Sequence, residues 1–402
     1  MLDKLDSLLS KNMAGAKRSA IREILKLTQN PEIISFAGGL PAEKSFPVED
    51  IKVCMNEVLD TAGTKALQYG TTEGCNELRE QIVKHYKSQG VEIGINNIMI
   101  STSSQQGLDL TSKIFINPED KIICGLPSYL GGLSAFRSYG GILVGIKFDK
   151  DGMCPIELEK TLKKMAAEND LPKFIYLIPD FQNPAGITYP ETRRLELLKI
   201  AEKYNLLIIE DSPYRELRFD GKEQKMMYDL DKSNRVVVLG TFSKILAPGF
   251  RIGWIIAHEN IIEKFVTAKQ STDLCAPAIL QMTIAKYMEK GMLQKNLKNT
   301  INMYRIKRDL MLDCFRKYMP QGITWTEPEG GLFLFLNLPE GIDAEDLFKI
   351  AIKNNVAFVI GKVFHCDGSG INTMRLNFSF PTHEQIDIGV KRLAESIKTM
   401  LG

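Results

Sequence analysis

Histidine is scarce in this 402-residue chain: only His85, His258, His365 and His383 occur, and none stands in HExxH or at helical spacing from another. A zinc site is therefore not expected, and each histidine reads as a structural or surface residue. The seven cysteines, at 54, 75, 124, 154, 275, 314 and 366, are odd in number, scattered, and never form CxxC. Reduced thiols in a cytoplasmic protein are the simplest reading. No apolar run reaches the ~18 residues of a membrane span. Residues 1–25 mix acids and bases through their apolar positions, unlike a signal peptide. The net charge is only +2, with Lys and Arg spread along the chain, so neither nucleic acid nor membrane is an expected partner. Internal repeats, low-complexity tracts and long linkers are also missing.

What is present is a chain longer than one hydrophobic core serves, which predicts two domains. From about 95 to 257, short runs rich in Ile, Val and Leu (NIMIS 97–101, KIICG 121–125, FIYLI 174–178, LLIIE 206–210, VVVLG 236–240, WIIA 254–257) alternate with amphipathic stretches. The runs lack clean alternation, as strands buried on both faces do. PETRRLELLKIAEKYN (190–205) opens on Pro-Glu and repeats Leu197, Leu198, Ala201 and Tyr204 on one helical face. Alternating β and α elements predict an α/β fold with a mainly parallel sheet wrapped by helices. Beyond 258 the texture changes to long helical patterns (294–319, 343–355, from 382), a hairpin-like piece at 323–338 and a strand at 373–379. This predicts a smaller α+β unit.

Ligands of open α/β sheets sit beyond the carboxyl ends of the strands, and polar residues follow each run. STSSQQGLDL (101–110) leads hydroxyls into a helix, which suits a phosphate or is a serine-rich cap. It is neither GxxxxGK[ST] nor GxGxxG. Tyr129 follows KIICG as an aromatic plate or an ordinary tyrosine. Asn183-Pro184 with Gly186 is a turn signal after FIYLI. Asp211 ends a buried strand, where it needs a partner or serves as a helix cap before Pro213, and Tyr214 follows. GTFSKILAPGFRIGW (240–254) puts Lys244 just past a buried strand and Arg251 seven residues on; a surface lysine is the ordinary alternative. Singly, each signal is weak. Together they supply a phosphate cradle, an aromatic plate, an amide, a carboxylate, a phenol, a lysine and an arginine, the set that pyridoxal 5′-phosphate requires.

The chain resembles the fold-type I pyridoxal-phosphate enzymes, the aspartate-aminotransferase-like superfamily. The likeness is greatest to the 2-aminoadipate and kynurenine aminotransferase branch, which also includes the aminotransferase-like halves of certain transcription regulators. The motifs span nearly the whole chain: SAIREILKLTQNPEIISFAGGLP (19–41), LQYGTTEGCNELRE (67–80), SSQQGLDL (103–110), QNPAGITYP (182–190), EDSPYRELRF (210–219), TFSKILAPGFRIGW (241–254) and MRLNFS (374–379). The resemblance implies a large domain (46–290) with a seven-stranded sheet, a small domain (291–402), and an N-terminal segment (1–45) packed on the small domain. It implies Lys244 as the Schiff-base lysine and proton shuttle, and Asp211 at the pyridinium nitrogen. Asn183 and Tyr214 then serve the 3′-oxygen and Tyr129 stacks on the ring. Ser103, Ser104, Gln105, Thr241, Ser243 and Arg251 hold the phosphate. Tyr69 reaches the neighbouring active site of a homodimer. Arg375 clamps the substrate α-carboxylate, Gly39 borders the substrate, and Arg22 faces a distal carboxylate. One departure is Ser103, where the family often has glycine; a side chain there would crowd the loop slightly and removes no donor.

The implied reaction is transamination between a broad range of L-amino acids and a 2-oxo acid such as 2-oxoglutarate. A lyase or decarboxylase on the same fold is the alternative, since the motifs name the cofactor and not the bond broken. A cofactor-sensing regulator module is the other: FAGGLP begins at residue 36, which leaves no room for a preceding DNA-binding domain of ~60 residues.

Overall fold

The computed structural model describes residues 8–14 and 30–402. A two-residue strand, β1 (Ile34–Ser35), precedes the central sheet. That sheet is built from β2 (Ile98–Ser101), β3 (Lys121–Leu126), β4 (Ile142–Asp149), β5 (Gly152–Met153), β6 (Phe174–Leu177), β7 (Leu207–Asp211), β8 (Val236–Thr241) and β9 (Gly253–Ile256), in the spatial order β2-β9-β8-β7-β6-β3-β4-β5. Strands β8, β7, β6, β3 and β4 are mutually parallel, and β9 runs antiparallel to both its neighbours, β8 and β2. Every residue of β2, β6 and β8 is buried, which is why these runs carry no polar alternation. Each fully buried Val, Leu or Ile contributes about 1.5–3 kcal/mol.

The sheet has eight strands rather than seven. The eighth, β5, is a short edge piece made when Asp149 accepts from the Asp151 amide (2.8 Å) and Gly152, at φ +104°, turns the chain back on β4. Strand β4 itself escapes the reading of apolar runs. It lies toward the sheet edge, with Ile142, Lys147 and Asp149 exposed, and its pattern is not that of a doubly buried strand.

The helix at Glu191–Lys203 forms as expected, with Leu197, Leu198 and Ala201 buried. It also buries Arg194, which the periodicity does not suggest. Arg194 makes a 2.7 Å ion pair with Asp180 and donates to the carbonyls of Pro179 and Tyr189. The guanidinium thereby staples both ends of the 179–190 loop.

The C-terminal half adds β10 (Thr324–Trp325), β11 (Phe333–Asn337), β12 (Val356–Ala357), β13 (Val359–Ile360) and β14 (Thr373–Asn377). Four of them form an antiparallel sheet in the order β10-β11-β14-β13, and β12 pairs in parallel with β1. The segment from β1 to residue 40 is stitched to this sheet: the Asn377 amide donates to Phe36 O (2.8 Å) and Ser379 Oγ to Leu40 O (2.8 Å).

The reversed β9 decides where the site forms. Its first residue, Gly253, pairs with Thr241 on one side and Ser101 on the other. The amino end of β9 therefore lies among the carboxyl ends of its neighbours. A Cβ on Gly253 would sit 2.5 Å from Gly240 O and 2.8–2.9 Å from the backbone of Ser103, and backbone cannot step aside as a flexible side chain can. Gly253→Ala should therefore cost about 1–3 kcal/mol of stability by overpacking and displace the first turn at Ser103. Gly249→Ala, at a glycine with nothing within 4 Å, should change the melting temperature little. Thermal melts of the two variants side by side check this.

Candidate active site

A cavity of about 520 Å³ opens beyond the carboxyl ends of β2, β3, β6, β7 and β8. Of the fifteen residues singled out in the sequence, thirteen line it: Gly39, Ser103, Ser104, Gln105, Tyr129, Asn183, Asp211, Tyr214, Thr241, Ser243, Lys244, Arg251 and Arg375. Tyr69 is not among them. It is 80% exposed on the chain after the helix Val48–Ala66. Arg22 lies outside the described residues.

One end of the cavity is built to receive an anion. The helix Ser103–Phe115 starts there, and no side chain caps its free amides, so the serine-rich cap is not what these hydroxyls form. Ser103 opens the helix at φ +63°, a left-handed conformation that glycine adopts at less cost; this is the physical meaning of the serine-for-glycine departure. Arg251, itself at φ +52° after the 3-10 turn Pro248–Phe250, donates to Ser103 Oγ and, at 3.5 Å, to Ser243 Oγ. Thr241 Oγ1 donates to Ser243 Oγ (2.8 Å) and accepts from the Ser243 amide (3.1 Å). Among the described residues no carboxylate pairs with Arg251. A guanidinium, three hydroxyls and a helix N-terminus without a counter-anion suit a phosphate group.

The cavity is also lined by Arg375 of β14. It is buried, donates to Asn183 Oδ1 (2.9 Å) and Ala37 O (2.8 Å), and leaves Nε without a partner. Its guanidinium stacks over Phe333 (4.2 Å to the centroid) and Phe364 (5.1 Å). Asn183 turns its amide nitrogen to Tyr214 Oη (3.3 Å), so one carboxamide joins the arginine to the phenol. Tyr129 donates to Gln105 Oε1 at 3.4 Å.

The lining also includes a lysine and a carboxylate. Lys244 Nζ donates to Gly39 O (2.8 Å). Burial, then the positive charges of Arg375 and Arg251, hold its amine down at about 8. Asp211 ends β7 and is followed by no helix, so it caps nothing. Burial raises its carboxyl to about 7, opposed by a 2.8 Å hydrogen bond from the Tyr176 phenol to Oδ2; Oδ1 has no partner. Burial lowers Arg375 to about 10 and pushes the Tyr214 phenol above its ordinary value.

Several contributors, Phe364 among them, escape the sequence reading. Tyr176 hides inside the apolar run FIYLI, where its hydroxyl is the one polar side-chain atom and so demands a buried partner. Phe333 sits in GGLFLFL with no mark distinguishing it from core. Ile178 also lines the cavity as one more aliphatic at a strand end.

Residues 32–393 match the family model for aminotransferase class I and II. The chain belongs to that family. The aminotransferase is 45% identical over 390 residues to aromatic-amino-acid aminotransferase 1 of Thermococcus litoralis, covering 97% of this chain and 94% of that one. Its fold superposes on the kynurenine aminotransferase of Pyrococcus horikoshii, solved in complex with PMP, at TM-score 0.96 and 43% identity with both chains fully covered. It superposes on the alpha-aminoadipate aminotransferase of Thermus thermophilus, complexed with N-(5′-phosphopyridoxyl)-L-leucine, at TM-score 0.91 and 36% identity over 99% of each. The aminotransferase thus has the fold-type I architecture expected from its motifs.

The low amine value makes a stability prediction for the cofactor-free aminotransferase. Below about pH 8 Lys244 is charged in both folded and unfolded chains, and the folded state bears the full cost of burying that charge. Between about 8 and the ordinary value of 10.5 the folded amine has lost its proton while the unfolded one keeps it, so the cost fades as pH rises. Lys244→Met should therefore melt higher than the parent at pH 7, by the equivalent of a few kcal/mol, and the gap should close towards pH 10.5. Paired melts across this range check the sign.

Proposed function

We propose that the cavity holds pyridoxal 5′-phosphate and transfers amino groups between L-amino acids and 2-oxo acids. The observation that carries this reading is a partly buried lysine with no carboxylate partner among the described residues, set in one cavity with a buried carboxylate whose second oxygen is unbonded. The fit is chemical at each end. Asp211 Oδ1 needs a positively charged N–H, which a protonated pyridine ring offers. The Ser103 cradle with Arg251 needs an anion, which the phosphate offers. Asn183 and Tyr214 offer neutral polar groups to the 3′-oxygen, and Tyr129 offers its ring face. When bound, the cofactor supplies an aldehyde that condenses with amines and a ring that withdraws electrons.

This chain's own residues do the rest. Arg375 takes the amino-acid carboxylate through its fork of N–H groups, while Phe333 and Phe364 keep that guanidinium flat and dry. Lys244, poised near neutrality, takes the α-proton and redelivers it, as a general base with a value close to working pH should. Asn183, shared by Arg375 and Tyr214, couples the carboxylate end of the site to its phenol. Tyr176 fixes Asp211 by one oxygen and leaves the other facing the cavity. Tyr69, exposed here, would complete the phosphate site of a second copy in a homodimer. The relatives named above support aromatic and 2-aminoadipate-like donors with broad specificity, and the reading takes a 2-oxo acid such as 2-oxoglutarate as the acceptor. Among the described residues no helix is long and apolar enough to cross a membrane, and seven free cysteines support a cytoplasmic location.

A panel of amino donors with 2-oxoglutarate tests the reaction: turnover with aromatic, dicarboxylic or branched donors is expected, and no turnover with any of them would favour a lyase. The parent should turn yellow on addition of pyridoxal 5′-phosphate and Lys244→Ala should not. That variant should lose about 10²–10⁴-fold in kcat through loss of the base. Arg375→Lys should lower kcat/KM roughly 10–100-fold, the equivalent of one charge-assisted hydrogen bond, with little effect on colour.

A further inference from the structure

Two of the seven cysteines face each other across the molecule. Cys124 lies buried within β3, and Cys366 lies in the turn that follows the 3-10 segment Gly361–Phe364, partly exposed. They are 242 positions apart in the chain, yet their sulfurs are 3.7 Å apart, with the Cys124 thiol directed at Cys366 Sγ. A disulfide needs about 2.0 Å, so the sulfurs must approach by roughly 1.7 Å. No other two cysteines are joined by a hydrogen bond: Cys54 points at Met292 Sδ and Cys314 at Asp387.

The two thiols differ in character. Donation from Cys124, helped by the charge of Arg137, draws the Cys366 thiol below its ordinary value. Burial pushes Cys75 and Cys314 up to about 11 and also raises Cys54. A partly exposed thiol drawn below its ordinary value, 3.7 Å from a buried second thiol, is the arrangement of an attacking and a resolving cysteine.

We propose that Cys124 and Cys366 are a redox-active pair, oxidised by hydroperoxides to a disulfide that ties β3 to the loop carrying Phe364. The Cys366 thiolate attacks the peroxide oxygen, the O–O bond breaks, and Cys366 becomes a sulfenic acid while the leaving oxygen takes up a proton as water or alcohol. The Cys124 sulfur then attacks the Cys366 sulfur, the S–OH bond breaks, and hydroxide leaves with the Cys124 proton as water. The two thiols lose two electrons and the hydroperoxide gains them; a small dithiol reverses the change. The tie falls close to the site: Phe364, two residues before Cys366, accepts from the Ser128 amide (2.8 Å), next to Tyr129, and packs its ring on Arg375.

The test is non-reducing peptide mapping of the whole holoenzyme after brief treatment with hydrogen peroxide. The expected result is a Cys124–Cys366 peptide that dithiothreitol dissolves, with Cys366 reacting at least about tenfold faster than the similarly exposed Cys154 and Cys275. Cys124→Ser should instead accumulate a Cys366 sulfenic acid that dimedone traps. Cys366→Ser, at the more exposed position, should leave Cys124 unreacted. Recovery of Cys366 as sulfinic acid with Cys124 still alkylatable in the parent would overturn the proposal, as would cross-linking of either cysteine to a different partner.

Discussion

At the heart of the structure one backbone is pressed against another. Gly253 lies between Gly240 O and the first turn of the helix at Ser103, with no room for a Cβ. That contact is possible because β9 enters the sheet antiparallel, in register with Thr241 and Ser101. Arg251, two residues before Gly253, is thereby delivered to the carboxyl edge of the sheet, where the hydroxyls after β2 and β8 already stand. In an all-parallel sheet the residues preceding a strand lie at the opposite edge. The end of the cavity that gathers Arg251, the hydroxyls and the helix start is thus a product of one reversed strand and of the glycine that lets it close.

Electrostatics follow from that placement. Lys244, Arg251 and Arg375 share a cavity whose carboxylate, Asp211, is itself raised by burial. Three basic groups without a matching anion among the described residues are costly, and the cost appears as the depressed values of Lys244 and Arg375. The same strain is useful in an aminotransferase. Under the proposed function a phosphate and a substrate carboxylate would relieve it on binding, and an amine near neutrality would carry a proton in both directions. Neutral groups hold the geometry: Tyr176 on Asp211, Asn183 on Arg375, and aromatic faces on the guanidinium.

The chemistry-bearing residues were legible because chemistry constrains residue type. A carboxylate or lysine just past an Ile/Val run stands out against its surroundings, and so do a Ser-Ser-Gln helix start and an arginine in MRLNFS. The supports were not. Tyr176, Phe333 and Phe364 act through contacts, and in the sequence they look like any other core aromatic. Arg194 was hidden because it sits on a helix whose apolar face was already explained, yet it clamps the loop that presents Asn183. Strand β4 was hidden because an edge position relaxes the burial that makes central strands recognisable.

By itself the sequence determined the α/β class, six strands of the central sheet in chain order, and most of the polar groups that line the cavity. These depend on local hydrophobicity and side-chain chemistry, which residues carry with them. Only the tertiary structure decided that β9 reverses, that an eighth strand closes the sheet edge, and that Arg375 reaches Asn183 across 192 positions. The same holds for Cys124 and Cys366, two unremarkable cysteines in the sequence whose sulfurs meet. Long-range proximity depends on how whole elements pack, and no local pattern of residues encodes which distant side chains will share one cavity.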